Sequence, residues 1–445
     1  MIIDKDEVAG IIEKILSYSK ADSASVNLSG SNSNNLRFAL NSVSTCGAAD
    51  SVSVSITSSF GKKSGSVSIT SIDDESLKNG VLQSENIAKL SPDNEEFMPP
   101  LEAQTGYYDV KEYFENTSDV TPENLAEKIS YTLDKAVQND LVSAGFSKIE
   151  TKFNAIGNSN KLLAYNKSTN SSFSSTMRSR SGNGSSKVNR AYANIDLLDI
   201  RKFSDKVINN ALLSKNPQSF EPGKYVTILD NSAASDMLNN MLWTLSLRSA
   251  DEGRSFFSNN SKGNKIGQKL VSDNVHIYSD PQNELAPSSP FYSDGYPIRK
   301  TDWFSEGVLE NLYSSRYWAK KTGTEYIPYP SNIIMDGTDK TVEQLISETE
   351  KGIFVTRLWY IRSVDPKQML LTGLTRDGVF LIENGMIKNP INNFRFNESP
   401  INVLKNVTDM SVAEKVVGSE TGDSKIVVPA LKLSEFNFST ISDAF

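Results

Sequence analysis

The sequence predicts an α+β fold in two domains: an N-terminal domain with a helix and an antiparallel β-meander, and a C-terminal domain of mainly antiparallel strands with a few helices. Many short runs alternate polar with apolar residues, as half-buried strands do, and Gly, Asn and Ser turns separate them. The helical patterns stand apart from these runs, whereas βαβ units would require helices and strands to alternate. The length of 445 residues suits two or three domains.

The N-terminal half begins with a helical pattern, because Val8, Ile11, Ile12 and Ile15 share one face at helical spacing. Alternating runs then predict strands at Ala24–Leu28, Leu36–Leu40, Ser51–Ile56 and Ser66–Ile69. Helices follow over Ile72–Lys89 and from Thr121, which is a favourable N-cap followed by a proline in the first turn. Strands return between Gly145 and Ile195, and Phe203–Leu213 is again helical.

The predicted domain boundary lies at Asn216–Gly223, where Pro217 and the Pro222-Gly223 pair interrupt the pattern. It divides the chain into domains 1–216 and 223–445. Beyond it we expect a short strand at Tyr225–Leu229, a helix over residues 232–248 capped by Asn231-Ser232, and further helices at Tyr317–Lys321 and Val342–Glu350.

Charge and composition argue against several functions. Lys and Arg number 46 against 54 Asp and Glu, so the formal charge is 46 − 54 = −8; basic residues form no dense cluster, and we expect no nucleic-acid partner. No run approaches the ~18 apolar residues of a membrane helix, and the charged start Asp4–Glu7 does not resemble a signal peptide. The single cysteine, Cys46, is expected to be a buried or half-buried strand-edge residue. These features predict a cytoplasmic protein with no membrane partner.

Residue types that carry catalysis are scarce. His276 is the only histidine, so any Ser/His/Asp or Cys/His set would have to use it, and its alternating run Val275–Tyr278 favours a structural or surface role. The phosphate-binding Gly-x-x-x-x-Gly-Lys-Ser/Thr motif, the Gly-x-Ser-x-Gly nucleophile elbow and the Rossmann Gly-x-Gly-x-x-Gly motif have no match. One His and one Cys far apart in the sequence do not suit a zinc site either.

Short stretches of the second half form a recognisable series. They are Pro222–Tyr225, residues 232–248, Glu252–Phe257, Asp294–Arg299, Gly307–Leu309, Ala319–Gly323, Pro330–Asn332, Lys351–Val355 and Ile382–Gly385. Together, in this order and spacing, they resemble the TldD/PmbA family, whose members have long been called modulators of DNA gyrase and are grouped with intracellular zinc peptidases. No single stretch is specific; the series carries the resemblance.

The resemblance implies a two-domain cytosolic protein that dimerises. In the family's catalytic branch, a zinc-bearing subunit carries His-Glu-x-x-x-His on the helix that enters the second domain. An ungapped alignment from Gly253-Arg254-Ser255 places that motif on Leu238-Asn239-Asn240-Met241-Leu242-Trp243. Leu238 and Trp243 have no metal-donor atoms, and Asn239, at the position of the general-base Glu, has an amide that cannot take up a proton at neutral pH.

A further family ligand, a cysteine near the C-terminus, has no counterpart in Thr421–Lys425. The resemblance therefore implies the metal-free PmbA branch, also called TldE, which pairs with a zinc-bearing TldD-type subunit to degrade or trim unfolded peptides. We expect no cofactor in this chain and zinc in the partner subunit. We also expect Trp243 to fill the volume of the missing metal cluster as a dry plug.

Hypotheses from different functional classes follow. In the first, the chain is a non-catalytic subunit of a heterodimeric zinc metallopeptidase, which helps to enclose the site and binds extended peptide. In the second, it is a self-associating, homodimeric peptide-binding or scaffold protein without a peptidase partner. A hydrolase with its own unrecognised site is the third. Five polar residues at family-matched positions are candidates for peptide contact, although turn chemistry explains several of them equally well: Arg254, Ser255, Asp294, Arg299 and Asn332.

Overall fold

The fold is described by a computed structural model, which covers residues 1–259, 263–419, 422 and 424–442. The helices are α1 (Lys5–Tyr18), α2 (Asp74–Leu90), α3 (Glu115–Ser118), α4 (Pro122–Gln138), α5 (Ile200–Leu213), α6 (Asn231–Leu242), α7 (Leu247–Asp251), α8 (Arg316–Thr322), α9 (Val342–Ser347) and α10 (Pro400–Lys405). The strands of the first half are β1 (Ser23–Ala39), β2 (Ser42–Phe60), β3 (Lys63–Ile69), β4 (Leu141–Asn158), β5 (Leu163–Ser179) and β6 (Ser185–Tyr192).

The strands of the second half are shorter and more numerous. They are β7 (Gly223–Leu229), β8 (Ile277–Ser279), β9 (Thr301–Ser305), β10 (Val308–Leu309), β11 (Ile333–Met335), β12 (Lys351–Val355), β13 (Leu358–Asp365), β14 (Leu370–Thr375), β15 (Val379–Glu383), β16 (Met386–Pro390), β17 (Asn393–Glu398), β18 (Val407–Met410), β19 (Glu414–Val416), β20 (Ile426–Val428) and β21 (Leu431–Ser442). The predicted α+β class is confirmed, because helices pack on sheets that are mainly antiparallel.

β1 to β6 form one antiparallel sheet in the order β3-β2-β1-β4-β5-β6. Alternation gives this sheet an apolar and a polar face. On the apolar face, Val26 and Leu28 of β1 pack with α1 and α2, while Leu36 and Phe38 of the same strand pack with α4 and α5. The opposite face is rich in Ser and Asn side chains and faces the second half of the chain.

The second half contains two mixed sheets. One has the order β10-β9-β8-β11-β20-β19, and the other runs from β13 through β14, β17, β21, β7, β12 and β15 to β16. Two strand pairs are parallel, β7 with β12 and β11 with β20. The apolar side of α6, including Met237, Leu238 and Met241, shares one core with residues of both sheets, so this helix lies at the centre of the second half.

Residues 91–114, between α2 and α3, tie the two halves together; we call this segment the strap. Arg248 donates two hydrogen bonds to the Glu96 carboxylate, at 2.9 and 2.8 Å. The Tyr107 hydroxyl donates to the backbone oxygen of Gly295 at 2.8 Å. The strap therefore fixes how the polar face of the first sheet meets the second half.

Several predicted elements differ in extent. Leu28 and Leu36 lie on one continuous strand, because the Ser and Asn residues between them, which read as a turn, pair with β2 on one side and β4 on the other. Cys46, which was expected to be buried or half-buried, is exposed on β2, so that expectation was wrong. The helix expected at residues 232–248 ends at Leu242, and its N-cap is Asp230 rather than Asn231-Ser232. Nothing in the structure tests the predicted boundary at 216–223, which stays a prediction. No helix among the described residues is long and apolar enough to cross a membrane.

Candidate functional site

α6 carries the positions at which the zinc-binding motif of the resembled family aligns. Leu238 is 1% exposed and packs inside the main core of the second half. Its side chain contacts apolar residues of both sheets, as expected for an apolar residue on the core-facing side of a helix. This position therefore serves packing in the described structure.

Asn239, the next residue of α6, lies half-buried on the polar side of the helix. Its side-chain oxygen accepts a hydrogen bond from the Ser424 hydroxyl at 3.4 Å. One turn earlier, the Asp236 carboxylate accepts a bond from the Ser419 backbone N–H at 2.8 Å. The polar side of α6 thus anchors the segment that leads into β20.

Trp243 is the C-cap of α6, and its position corrects the prediction of a dry plug. The residue is 65% exposed. Its ring lies 5.3 Å from the ring of Tyr329, and its backbone oxygen accepts a hydrogen bond from the Tyr313 hydroxyl at 3.1 Å. The prediction was wrong because the helix ends at Leu242, so Trp243 projects beyond the core, which Leu238 already fills.

These side chains do not fit a zinc ion. A zinc site needs His, Cys or carboxylate donors, and Leu238, Asn239 and Trp243 supply a hydrocarbon, an engaged amide and an indole N–H that only donates. Within the described ranges, no group of three or more His, Cys, Asp or Glu residues could hold a metal ion. Thr421 and Asp423, in the stretch expected to lack the family's cysteine, lie outside the described residues.

A cavity of about 690 Å³ lies between the polar face of the first sheet and the second half of the chain. Strand residues such as Ser29, Ser53 and Asn154 form one wall, and the loop 285–289 with Ser331 forms the other. More than half of the lining residues are Ser, Thr or Asn. The cavity can therefore offer many neutral hydrogen-bond donors and acceptors to a ligand.

An ion pair crosses this cavity. Glu112, on the strap, pairs with Lys425 and also accepts a hydrogen bond from the Asn166 amide at 2.6 Å. Lys425 in turn donates to the backbone oxygen of Pro287 at 2.8 Å. Another lining residue, Lys415, donates to the backbone oxygen of Ser424 at 3.1 Å, and Ser424 is the residue bonded to Asn239. The cavity wall is thus connected to the motif positions of α6.

Comparison with known proteins decides the family. The PmbA/TldA metallopeptidase C-terminal domain matches residues 222–440, and the PmbA/TldA metallopeptidase domain 1 matches residues 24–88. The chain belongs to the TldD/PmbA family. The metalloprotease PmbA of Escherichia coli O157:H7 is 24% identical over 296 residues, a match that spans 64% of this chain and 61% of the relative's length.

Solved structures agree on the fold. TldE from Thermococcus kodakarensis has a TM-score of 0.86 and 18% identity, with 97% of this chain and 99% of that chain covered. A protein from Thermotoga maritima described as a modulator of a DNA gyrase has a TM-score of 0.85 and 14% identity, with the same coverage. The TldD/PmbA chain described here thus shares its whole architecture with these proteins.

The first two candidates for peptide contact lie at the end of α7. Arg254 is exposed and pairs with its neighbour Glu252, two residues away. Ser255 is 8% exposed, and its hydroxyl accepts a bond from the Phe257 backbone N–H at 3.0 Å. Ser255 therefore shapes a turn, and neither residue lines the cavity.

The other three candidates hold loops and the strap. Asp294 accepts a bond from the Tyr296 N–H at 3.0 Å, and Arg299 donates to the Gly106 backbone oxygen at 2.5 Å. Asn332 is 3% exposed and donates to the backbone oxygens of Asp280 and Ala286 at 2.6 and 2.7 Å. Asn332 thus supports the cavity wall from behind, while its neighbour Ser331 lines the cavity.

Sequence reasoning missed the cavity residues themselves. The alternation of β1 shows which residues share the polar face, but it does not show that a second part of the chain covers that face. Glu112 and Lys425 lie 313 positions apart, and no local pattern pairs them. A usable signal was the unusual density of Ser and Asn on that face, since a freely solvated strand face more often carries charged residues.

His276 proves to be the centre of a surface cluster rather than an isolated side chain. Its Nδ1 lies 2.6 Å from an Asp336 carboxylate oxygen, and its Nε2 lies 3.1 Å from one of Asp302. The ring of Tyr278 stacks on the imidazole, with centroids 4.9 Å apart. Burial lowers the pKa of His276, but the two aspartates outweigh it and raise the pKa above its ordinary value.

Proposed function

We propose that this chain is the non-catalytic subunit of a cytosolic zinc metallopeptidase of the TldD/PmbA family, acting in the proteolysis or maturation of unfolded peptides. In this assignment it holds extended peptide, while a zinc-bearing TldD-type subunit supplies the metal. The observation that carries the proposal is the set of side chains at the motif positions of α6: a core-packed Leu238, an engaged Asn239 and an exposed Trp243.

The chemistry of those side chains supports a non-catalytic role. Zinc-assisted hydrolysis requires several ligands around one ion and a base that takes a proton from the attacking water. The amide of Asn239 has no basic site at neutral pH. No hydrolytic step can therefore be assigned to α6 of this chain.

The cavity supports the peptide-binding part of the proposal. Its volume of about 690 Å³ lies within the range typical of ligand sites. Its wall includes Ser51, Val52 and Ser53, which lie on the part of β2 that β3 does not reach. An extended peptide can add to such an edge through its backbone, and the surrounding Ser and Asn side chains suit the remaining amide groups.

A second candidate function keeps peptide binding but omits the peptidase partner: a self-associating scaffold. One observation favours it: β3 pairs with β2 only from Val54 onward, so among the described strands none pairs with the outer edge of β2 between Ser42 and Ser53. Under either function we expect no nucleic-acid partner, because the net charge of −8 does not favour contact with phosphates.

Peptide binding by the purified chain tests the cavity assignment. A fluorescent unfolded peptide should bind the wild type, and Ser29→Trp should weaken binding at least tenfold, because an indole at this wall position fills part of the cavity. Leu90→Trp, at an 88% exposed position on α2, is the matched control and should bind like the wild type. Equal binding by both variants, or none by the wild type, would overturn the assignment.

Restoring the motif tests the non-catalytic assignment separately. In the triple variant Leu238→His/Asn239→Glu/Trp243→His, we expect no stoichiometric zinc by elemental analysis, since residue 238 faces the core while residue 243 lies at the exposed helix end. Stoichiometric zinc in this variant would show that the site is still shaped for metal. EDTA-sensitive cleavage of peptide by the wild-type chain alone would contradict the proposal directly.

A further inference from the structure

One carboxylate lies between two lysines on the polar side of β4. Lys148, Glu150 and Lys152 alternate along this strand, so their side chains share one face of the sheet. Each oxygen of the buried Glu150 carboxylate pairs with one of the two ammonium groups, at 2.7 Å in both cases. Burial raises the pKa of Glu150, but the hydrogen bonds from the two lysines outweigh it and lower the pKa. Glu150 is therefore ionised at neutral pH, and the three side chains together have one positive charge in excess.

Lys152 is the member of this group that lines the cavity. Its side chain is 47% exposed, and Glu150 is the one carboxylate among the described residues with which its ammonium pairs. An ammonium has three N–H donors, so Lys152 can still donate to a ligand. In the register of the sheet, Lys152 lies between Ser31 of β1 and Ser168 of β5, and Ser31 lies opposite Ser51 of β2. These three serines also line the cavity.

The rest of the cavity does not oppose this positive charge. Among the described residues, the other charged side chains that line it are Glu112, Lys415 and Lys425. Glu112 pairs with Lys425 and accepts a hydrogen bond from the Asn166 amide, so its negative charge is already compensated. The described part of the cavity thus offers an ammonium with donors to spare, although the whole chain has a net charge of −8. A carboxylate, which only accepts hydrogen bonds, is the ligand group that suits such an ammonium and its neighbouring hydroxyls.

We propose that the cavity prefers peptides that bring a carboxylate to Lys152, either from an acidic side chain or from a free C-terminus. The ammonium supplies the opposite charge, and the hydroxyls of Ser31 and Ser168 supply hydrogen bonds on either side of it. Cationic peptides are disfavoured, because the excess positive charge on this wall repels them. The inference rests on the proposed function, since it names the class of peptide that the cavity holds.

The position of Lys152 indicates which part of the peptide carries the carboxylate. A peptide strand added to the open edge of β2 lies three strand spacings from β4, which is about 14 Å. A Glu side chain on that added strand is too short to span this distance. About four extended residues, at ~3.4 Å each, do span it. The carboxylate therefore belongs to the peptide segment that leaves the edge and crosses the cavity.

Fluorescence anisotropy with dye-labelled unfolded peptides of one length tests the preference. The reference peptide is neutral, with Gln near an amidated C-terminus; the second has Glu in place of that Gln, and the third has a free C-terminus instead. At least one carboxylate peptide should bind the wild type about two- to fivefold more tightly than the reference, the range expected for a half-exposed ion pair. The peptide that does so identifies the source of the carboxylate. The preference should shrink at about 0.5 M salt, because salt screens exposed charges.

Substitutions of two neighbouring residues should change the preference in opposite directions. Lys152→Met should remove it, whereas Glu150→Gln should increase it, because that variant leaves both ammonium groups without their carboxylate. Lys224→Met removes a solvent-exposed pair with Glu435 outside the cavity and is the matched control, which should keep the wild-type preference. Circular dichroism should show that the variants are folded. If Lys152→Met does not fold, the increase in Glu150→Gln and the salt dependence decide the question.

The outcomes separate this inference from the proposed function. Equal affinity of the wild type for all three peptides would overturn the inference and leave peptide binding by the cavity intact. The same holds for a preference that persists in Lys152→Met or that Glu150→Gln does not increase. Binding that Ser29→Trp fails to weaken, or no binding of any peptide, would instead overturn the cavity assignment and the inference with it.

Discussion

His276 links three strands of one sheet through its two ring nitrogens. It directly precedes β8; one carboxylate partner, Asp302, lies on β9, and the other, Asp336, follows β11. A neutral imidazole has a single N–H and can donate to only one carboxylate. Both contacts are favourable only when the ring is protonated, so the geometry itself selects the imidazolium.

The sign of the pH dependence follows from the raised pKa. A group whose pKa is higher in the folded state stabilises that state most below its unfolded pKa, here 6.5, and the contribution disappears as the pH rises through the folded pKa. Tyr278 does not interfere, because burial and Asp336 raise its pKa to about 12. The ammonium of Lys300 lies 4.7 Å from the centre of the Tyr278 ring, on the same cluster.

The size of the effect is limited by exposure. The side chains of Asp302 and Asp336 are 46% and 52% exposed, so the values of surface ion pairs apply, about 0.2–1 kcal/mol each. We expect the protonated cluster to contribute about 1 kcal/mol to the free energy of unfolding. This corresponds to a change of about 2–4 °C in Tm for a domain of about 150–250 residues. The variant His276→Gln should therefore be less stable than the wild type at about pH 5.5, and the difference should shrink at about pH 9.

Proton NMR gives the most specific assay, because the chain has one histidine and hence one imidazole signal pair to follow. The wild-type signals should titrate above 6.5, and Asp336→Asn should lower that midpoint by removing the closer carboxylate. A wild-type midpoint at or below 6.5, or an equal stability difference for His276→Gln at both pH values, would refute the reasoning.

Two substitution pairs test burial and pairing elsewhere. Trp243→Ala should cost less than about 1 kcal/mol because the side chain is 65% exposed, whereas Trp303→Ala, at 1% exposure, should cost about 3–5 kcal/mol in urea denaturation. If Trp243→Ala lowered the free energy of unfolding of the isolated chain by several kcal/mol, the result would contradict this reasoning and support a buried, structural Trp243. Lys425→Met should lower stability by about 1–3 kcal/mol, because it leaves the buried Glu112 carboxylate without its cation. Lys224→Met, which removes a solvent-exposed pair with Glu435, should leave Tm unchanged, and equal shifts for the two lysine variants would contradict the argument.

Much of the fold was predictable because its local signals agree. The helical spacing of Val8, Ile12 and Ile15 gave α1, and Thr121 with Pro122 marked the start of α4, where the capping box is present. The same local rules divided β1 into two strands, since Ser and Asn favour turns in isolation, whereas here they lie inside one strand 17 residues long. Pairing with β4 along this strand, a long-range contact, overrides the local preference.

The site was less predictable because it is built from distant parts of the chain. The series of family-like stretches identified the motif positions on α6, but not that Trp243 lies past the end of the helix. The candidates Arg299 and Asn332 proved to hold the strap and a loop, since a polar residue at a matched position can serve the backbone as well as a ligand. The Glu112 pair with Lys425 depends on how the two halves meet, which no periodicity encodes.

The central claim is that the chemistry of this protein depends on a second, metal-bearing subunit. The most direct test is affinity purification of the chain from an extract of its native cells, with zinc content and peptide cleavage measured on the isolated chain and on the co-purified complex. We predict that zinc and EDTA-sensitive cleavage appear only with a co-purifying subunit that carries His-Glu-x-x-x-His. Zinc or cleavage in the isolated chain, or a complex without such a subunit, would contradict the claim.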